Sequence, residues 1–274
     1  MIARYYAKLL AALLIVAGPV WADTPPTGRW EPITEMWDEF NGAQLDPKKW
    51  NNQQNPSYPG RKPGLVMPYN AKLENGELNL YTRSETAPRA PPGYTFTTAN
   101  ISNKNLVKFG YFEVRAKVAK SRVNCSFWLY RWTENGSSEI DIAEVAGMAQ
   151  GHESSLHTNA HVYYGPAAQE SDQTRRSDPQ VWKTTTPIAD DYHVFGLEWD
   201  EKELKWYYDG KLVRIKANTD WYDPMTIILA TEIHENWMGL PAANELPAIF
   251  KVDYFRAWRK VAVQERTAQP VSTK

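Results

Sequence analysis

The sequence predicts an all-β fold, a sandwich or jelly roll of antiparallel strands. Three observations point there. From Glu77 to Arg259, apolar and polar residues alternate repeatedly with period two, and Pro, Gly and Asn break the runs at short intervals. No segment after the first 22 residues sustains an apolar recurrence at helical spacing. A single cysteine, Cys125, in 274 residues excludes an intramolecular disulfide, and no Cys/His cluster has the spacing of a zinc site. The fold must therefore rest on its packed core.

The elements follow in order. Met1 to Ala22 carries Arg4 and Lys8, the apolar run Leu9 to Val16, then Gly18, Pro19 and a small-residue ending at Ala22. This pattern predicts a secretory signal peptide over 1–22, because the apolar run falls short of the roughly 20 residues that span a bilayer. The remainder reads as one domain over 23–260 and a flexible tail over 261–274, with no composition break between. The expected product is a secreted protein, extracellular or periplasmic, free of the membrane after cleavage and monomeric. The net charge of -1, which becomes -3 once the two basic residues of the leader are removed, offers no basic field for nucleic acid.

Within the domain, Phe112, Val114, Ala116 and Val118 alternate with Tyr111, Glu113, Arg115 and Lys117, which predicts a half-buried strand. Similar runs are Glu77–Arg83, Asn124–Tyr130, Ser138–Val145, Ser154–Tyr163, His193–Asp200, Leu204–Tyr208, Lys211–Ile215, Met225–Thr231 and Phe250–Trp258. Asp209-Gly210 is a hairpin signal between two of them. The stretches Asn51–Pro68, Ala87–Gly93 and Pro166–Pro179 read as long loops.

The chemistry points to Gly136–Gly147, where Glu139, Asp141 and Glu144 interrupt an otherwise apolar run. Glu139 and Asp141 share a face, while Glu144 has the parity of Ile140 and Ile142, where an unpaired carboxylate would be costly. One extra residue in a β-bulge between Asp141 and Glu144 returns it to the face of the other two. Two carboxyl groups about 5.5 Å apart are the arrangement of a retaining glycosidase, one as nucleophile and the other as acid and then base. An acid between them can orient the nucleophile, and mutual repulsion favours a proton on the second Glu. The bland alternative is an acidic edge strand.

Glu139-Ile-Asp-Ile-Ala-Glu144 resembles the E-x-D-x-x-E signature of glycoside hydrolase family 16, in the bulged form of laminarinases, β-agarases, porphyranases and κ-carrageenases. Trp37-Asp-Glu-Phe-Asn-Gly42 is similar to the family's opening strand, Asn75-Gly-Glu-Leu-Asn-Leu80 to the next, and Phe109–Arg115 to the strand ending in Glu-Val-Arg. His193–Trp199, Trp206–Gly210 and Val252–Trp258 resemble its later strands in order, so nearly the whole domain is covered. The resemblance implies a jelly roll of two curved antiparallel sheets with an open concave cleft. It also implies Glu139 as nucleophile, Asp141 as the assisting residue and Glu144 as acid/base in a retaining endo-β-glycosidase.

Twelve Trp, about three times ordinary usage, fit both core packing and flat sugar platforms. Trp199, Trp206 and Trp258 lie on patterned strands and read as packing. Trp128 and Trp237 are candidate platforms, each with a core reading beside it. His157, His161 and Glu232 are candidate substrate contacts, each with a structural alternative, and His234 is a weaker one. Among Arg61, Arg131 and the Arg175-Arg176 pair, Arg131 is the foremost candidate for a sulfate ester, an anion that a guanidinium fork suits. The resemblance also implies a structural calcium site at Glu39, Gly76 and Asp253, while the two-carboxylate mechanism needs no cofactor.

The expected substrate is a red-algal galactan (agarose, porphyran or carrageenan), because Thr133–Ser138 departs from the Trp-Pro-Ala-x-Gly approach of many laminarinases. The rival readings are an endo-β-1,3-glucanase, a transglycosylase, and a non-catalytic carbohydrate-binding jelly roll.

Overall fold

The alternation in the sequence becomes two stacked eight-stranded antiparallel sheets in this computed structural model, which describes residues 25–26, 28–52, 58–134, 136–164 and 175–261. The expected signal peptide over 1–22 and the tail beyond Val261 lie outside the described residues.

The first sheet runs Lys211–Ala217, Glu203–Tyr208, His193–Trp199, Gly110–Lys117, Ala248–Lys260, Glu77–Thr82, Ala71–Glu74, with Trp30–Pro32 paired to the end of Ala248–Lys260. The second runs Arg175–Ser177, Ser155–Tyr164, Gly136–Val145, Asn124–Thr133, Thr226–Glu232, Asn100–Asn103, Trp50–Asn51, with Gln180–Lys183 also paired to Ser155–Tyr164. A short parallel pair, Gly64–Val66 with Phe96–Thr98, stands apart. Between the sheets lie Phe112, Val114, Leu197, Trp199, Trp206 and Phe255 from one side and Phe127, Leu129, Ile140, Ile142, Ile227 and Leu229 from the other. A one-residue slip of Gly136–Val145 would expose Ile140 and its neighbours at about 1.5–3 kcal/mol per side chain, so packing fixes the register.

Every strand read from the alternation is present, with ends shifted by at most three residues. Asp209 and Gly210 both take positive φ, 48° and 73°, and close the expected hairpin between Glu203–Tyr208 and Lys211–Ala217. Four expectations need correction. The second face of Gly110–Lys117 is largely covered, with Tyr111 and Glu113 buried and Arg115 and Lys117 half-buried, because an aromatic cluster lies over it. Tyr111 packs there with Tyr207 and Trp258, and the Glu113 carboxylate accepts a hydrogen bond from Tyr254. Trp37–Gly42 forms no strand but a single bridge, Asp38 to Phe255. Short strands occupy parts of two stretches read as loops, Gly64–Val66 and Arg175–Ser177. The last strand runs on to Lys260, past the expected end at Trp258, because Trp30–Pro32 pairs with it.

Candidate active site

Glu139 stands opposite Tyr130 on one side and His161 on the other, and Asp141 opposite Trp128 and Asn159. The ladder then skips: Ala143 pairs with Phe127 and Glu144 with Ser126 and His157, which leaves Ile142 as the extra residue. This is the bulge the parity of Glu144 demands. Ile142 and Ala143 are both buried in the core, and Glu144 emerges beside Asp141 and Glu139 in the cleft.

A bulge disturbs the ladder and leaves backbone groups to be satisfied elsewhere. One core indole does this at Asp141, and a second caps carbonyls of the ladder just before the bulge. Trp206 Nε1 donates to the Asp141 carbonyl at 2.9 Å, and Trp221 Nε1 donates to the carbonyls of Glu139 at 3.0 Å and His161 at 3.2 Å. Trp206 was expected only to pack, and Trp221 was not singled out.

In the cleft, His161 Nε2 lies 3.1 Å from Asp141 Oδ2 and 3.6 Å from Glu139 Oε1. The three donor sets fall within 4.8 Å of one another, close enough to share a proton or chelate a cation. Asn124 Nδ2 donates to Glu144 Oε1 at 3.0 Å. Burial, and then the neighbouring Asp141 and Glu232 carboxylates, push the Glu144 carboxyl well above its usual range, which favours its protonated form. Glu232 goes the other way. Burial opposes its charge, but the hydrogen bond and charge of His234 (2.9 Å), the Arg61 guanidinium (3.6 Å) and the Tyr58 hydroxyl hold it down at about 2. Neighbouring carboxyl groups shifted in opposite directions are suited to acid–base work.

The acids open into a cleft of about 1280 Å³. Trp128, Tyr130 and Trp132 line it as alternate residues of one strand, joined by Tyr163, His161, Glu232 and Trp237. Trp132 is 56% exposed and Trp237 38%, large apolar faces open to a ligand. The local sequence does not single out Trp132, Tyr130, Tyr163 or Tyr58 as cleft residues. His157 does not line the cleft; it packs edge-on against Trp237 at 4.9 Å and hydrogen-bonds His152 at 2.9 Å, and burial, with His152 and Lys183, lowers it to about 4. His234 meets the same indole at 5.4 Å.

Arg131 requires correction. It lies one residue off the parity of Trp128 and Tyr130, so its side chain leaves the strand on the other face and does not line the cleft. Arg61, from the turn before Gly64–Val66, and Arg175, on the edge strand Arg175–Ser177, line the cleft instead. Arg61 is offset by Glu232, whereas exposed Arg175 has no hydrogen-bond or ion-pair partner among the described residues. Arg176 is taken by Asp220.

The calcium site that the resemblance implies would use the backbone carbonyls of Glu39 and Gly76 and the carboxylate of Asp253. Asp253 Oδ2 accepts from Arg115 at 2.7 Å, and the Glu39 carboxylate accepts from Arg256 at 2.9 and 3.2 Å.

The family model of the β-porphyranase A–D GH16 domain matches residues 30–260. A β-porphyranase B of Phocaeicola plebeius is 26% identical over 287 residues, covering 89% of this chain and 88% of that protein. The glucan endo-1,3-β-glucosidase A1 of Niallia circulans is 27% identical over 82% of this chain but 38% of its own length. The crystal structure of a β-porphyranase from the human gut bacterium Bacteroides plebeius superposes with a TM-score of 0.75 at 24% identity, covering 89% of this chain and 96% of that one.

Proposed function

We infer the reaction from one premise: the chain belongs to glycoside hydrolase family 16. It is a glycoside hydrolase related to porphyranases, agarases, carrageenase and laminarinase-type glucanases. Within that class we propose a retaining endo-β-glycosidase. Glu139 attacks the anomeric carbon as the Glu144 proton passes to the departing glycosidic oxygen, giving a covalent glycosyl-enzyme. Glu144, now a carboxylate, takes a proton from water, whose oxygen displaces Glu139 and restores the original anomeric configuration. Asp141 and His161 orient the nucleophile between these steps. The observation that carries this reading is the bulge at Ile142, which brings three acids of mixed parity onto one cleft face.

We propose a red-algal galactan as substrate. Trp128, Trp132 and Trp237 offer apolar faces to sugar C–H groups, and the guanidinium of Arg175 offers a fork to an anionic substituent. Because Glu232 neutralises Arg61, that substituent belongs at the Arg175 edge. Arg175→Gln is expected to lower kcat/KM on porphyran or κ-carrageenan by about 10- to 100-fold, the size of one charge-assisted hydrogen bond, and to leave agarose nearly unchanged. Assaying new reducing ends on agarose, porphyran, κ-carrageenan and laminarin tests the substrate, and activity on laminarin alone would sink the galactan reading. The second reading, an endo-β-1,3-glucanase, draws on the Niallia relative. Export by the leader over 1–22 predicts a secreted protein beginning at Asp23, which N-terminal mass spectrometry reads directly.

A further inference from the structure

Glu232 has a fixed environment that substrate contact does not require. It ends the strand Thr226–Glu232 directly opposite Asn124, the residue whose side-chain amide donates to Glu144 Oε1. Three groups from two other segments converge on its carboxylate: Tyr58 and Arg61 from one loop, His234 from the next turn. All of these except Asn124 line the same cleft as Glu144.

We propose that Glu232 is a positioning residue acting through Glu144: its negative charge, pinned by Tyr58, Arg61 and His234, keeps the proton on Glu144 across the working pH range. The proposal rests on reading Glu144 as the acid/base. A carboxylate held ionised in a partly dry cleft disfavours a second negative charge nearby, and the Asn124 amide holds Glu144 in place beside it. Asp141, on the same strand as Glu144, acts in the same direction as Glu232, while Arg61 and the Asn124 hydrogen bond act against both. Ser126, opposite on one neighbouring strand, carries no charge. His157, opposite on the other, stays neutral above about pH 4 and adds no opposing cation. His234 Nε2 lies 2.9 Å from Glu232 Oε2. The pair Arg61 and Glu232 thus affects Glu144 with opposite signs, a feature that sugar contact or packing would not produce.

The test is the alkaline limb of kcat/KM against pH, which reports loss of the acid's proton in the free enzyme. Glu232→Gln removes an anion, lowers the pH at which Glu144 ionises, and is expected to move the limb about one unit toward acid. Arg61→Gln removes a cation and is expected to move it toward alkali, and Glu232→Asp keeps the charge and should leave it near its original position. Limb position, not height, is the readout, so a general loss of affinity or stability does not imitate it. A limb unmoved in Glu232→Gln, or moved the same way in Glu232→Gln and Arg61→Gln, would overturn the proposal. The reading of Glu144 is checked separately with Glu144→Ala, an activated aryl glycoside and azide. Restored turnover with a β-glycosyl azide product supports that reading, and no rescue would overturn the assignment of Glu144 itself.

Discussion

Glu139→Gln is expected to abolish turnover, by more than about 10⁴-fold in kcat, while leaving the melting temperature close to that of the parent. The substitution is nearly isosteric but replaces the anionic carboxylate with a neutral amide, a poor nucleophile at carbon that cannot form the glycosyl-enzyme ester. The fold tolerates it because Glu139 is not buried in the core: it faces the cleft, with His161 Nε2 at 3.6 Å as a neighbour. Reducing-end release on the best of the four polysaccharides measures the first expectation, and far-UV circular dichroism with a thermal melt measures the second. Undiminished turnover in a folded variant would remove Glu139 from the mechanism.

The same strand shows what a sequence carries and what it does not. The parity of Glu144 against Ile140 and Ile142 was legible because a carboxylate among core residues needs either a partner or a bulge, and the bulge is there. Parity also held the answer for Arg131. Three residues past Trp128 it must face away, whereas Tyr130 and Trp132, two and four past it, must share the cleft with it. What stayed hidden depends on contacts distant in sequence. Tyr58 and Arg61 reach Glu232 across more than 170 positions, and no local pattern announces a pair formed by folding. The covered second face of Gly110–Lys117 is of the same kind, since alternation reports which residues share a face but not whether another layer lies over it.

The Trp excess divides along this line, and one core member supports the acids directly. Trp206 is fully buried, its ring stacked under the Arg214 guanidinium at 4.2 Å, and its N–H meets the Asp141 carbonyl where the bulge interrupts the ladder. Trp206→Phe keeps an aromatic ring but removes the donor. It is expected to destabilise the protein by about 2–5 kcal/mol, combining an unsatisfied buried carbonyl with the lost indole volume. It should also lower kcat by about 10- to 100-fold with little change in KM, since a displacement of order 1 Å at the acids suffices for that loss. Trp258→Phe is the control: Trp258 is equally buried but packs with Tyr111 and Tyr207 on the far side of the first sheet, away from the acids. It should lose comparable stability and keep kcat. Thermal melts and saturation kinetics on both variants separate the two effects, and an equal kcat in the two would mean that the indole hydrogen bond stabilises the bulge without positioning the acids.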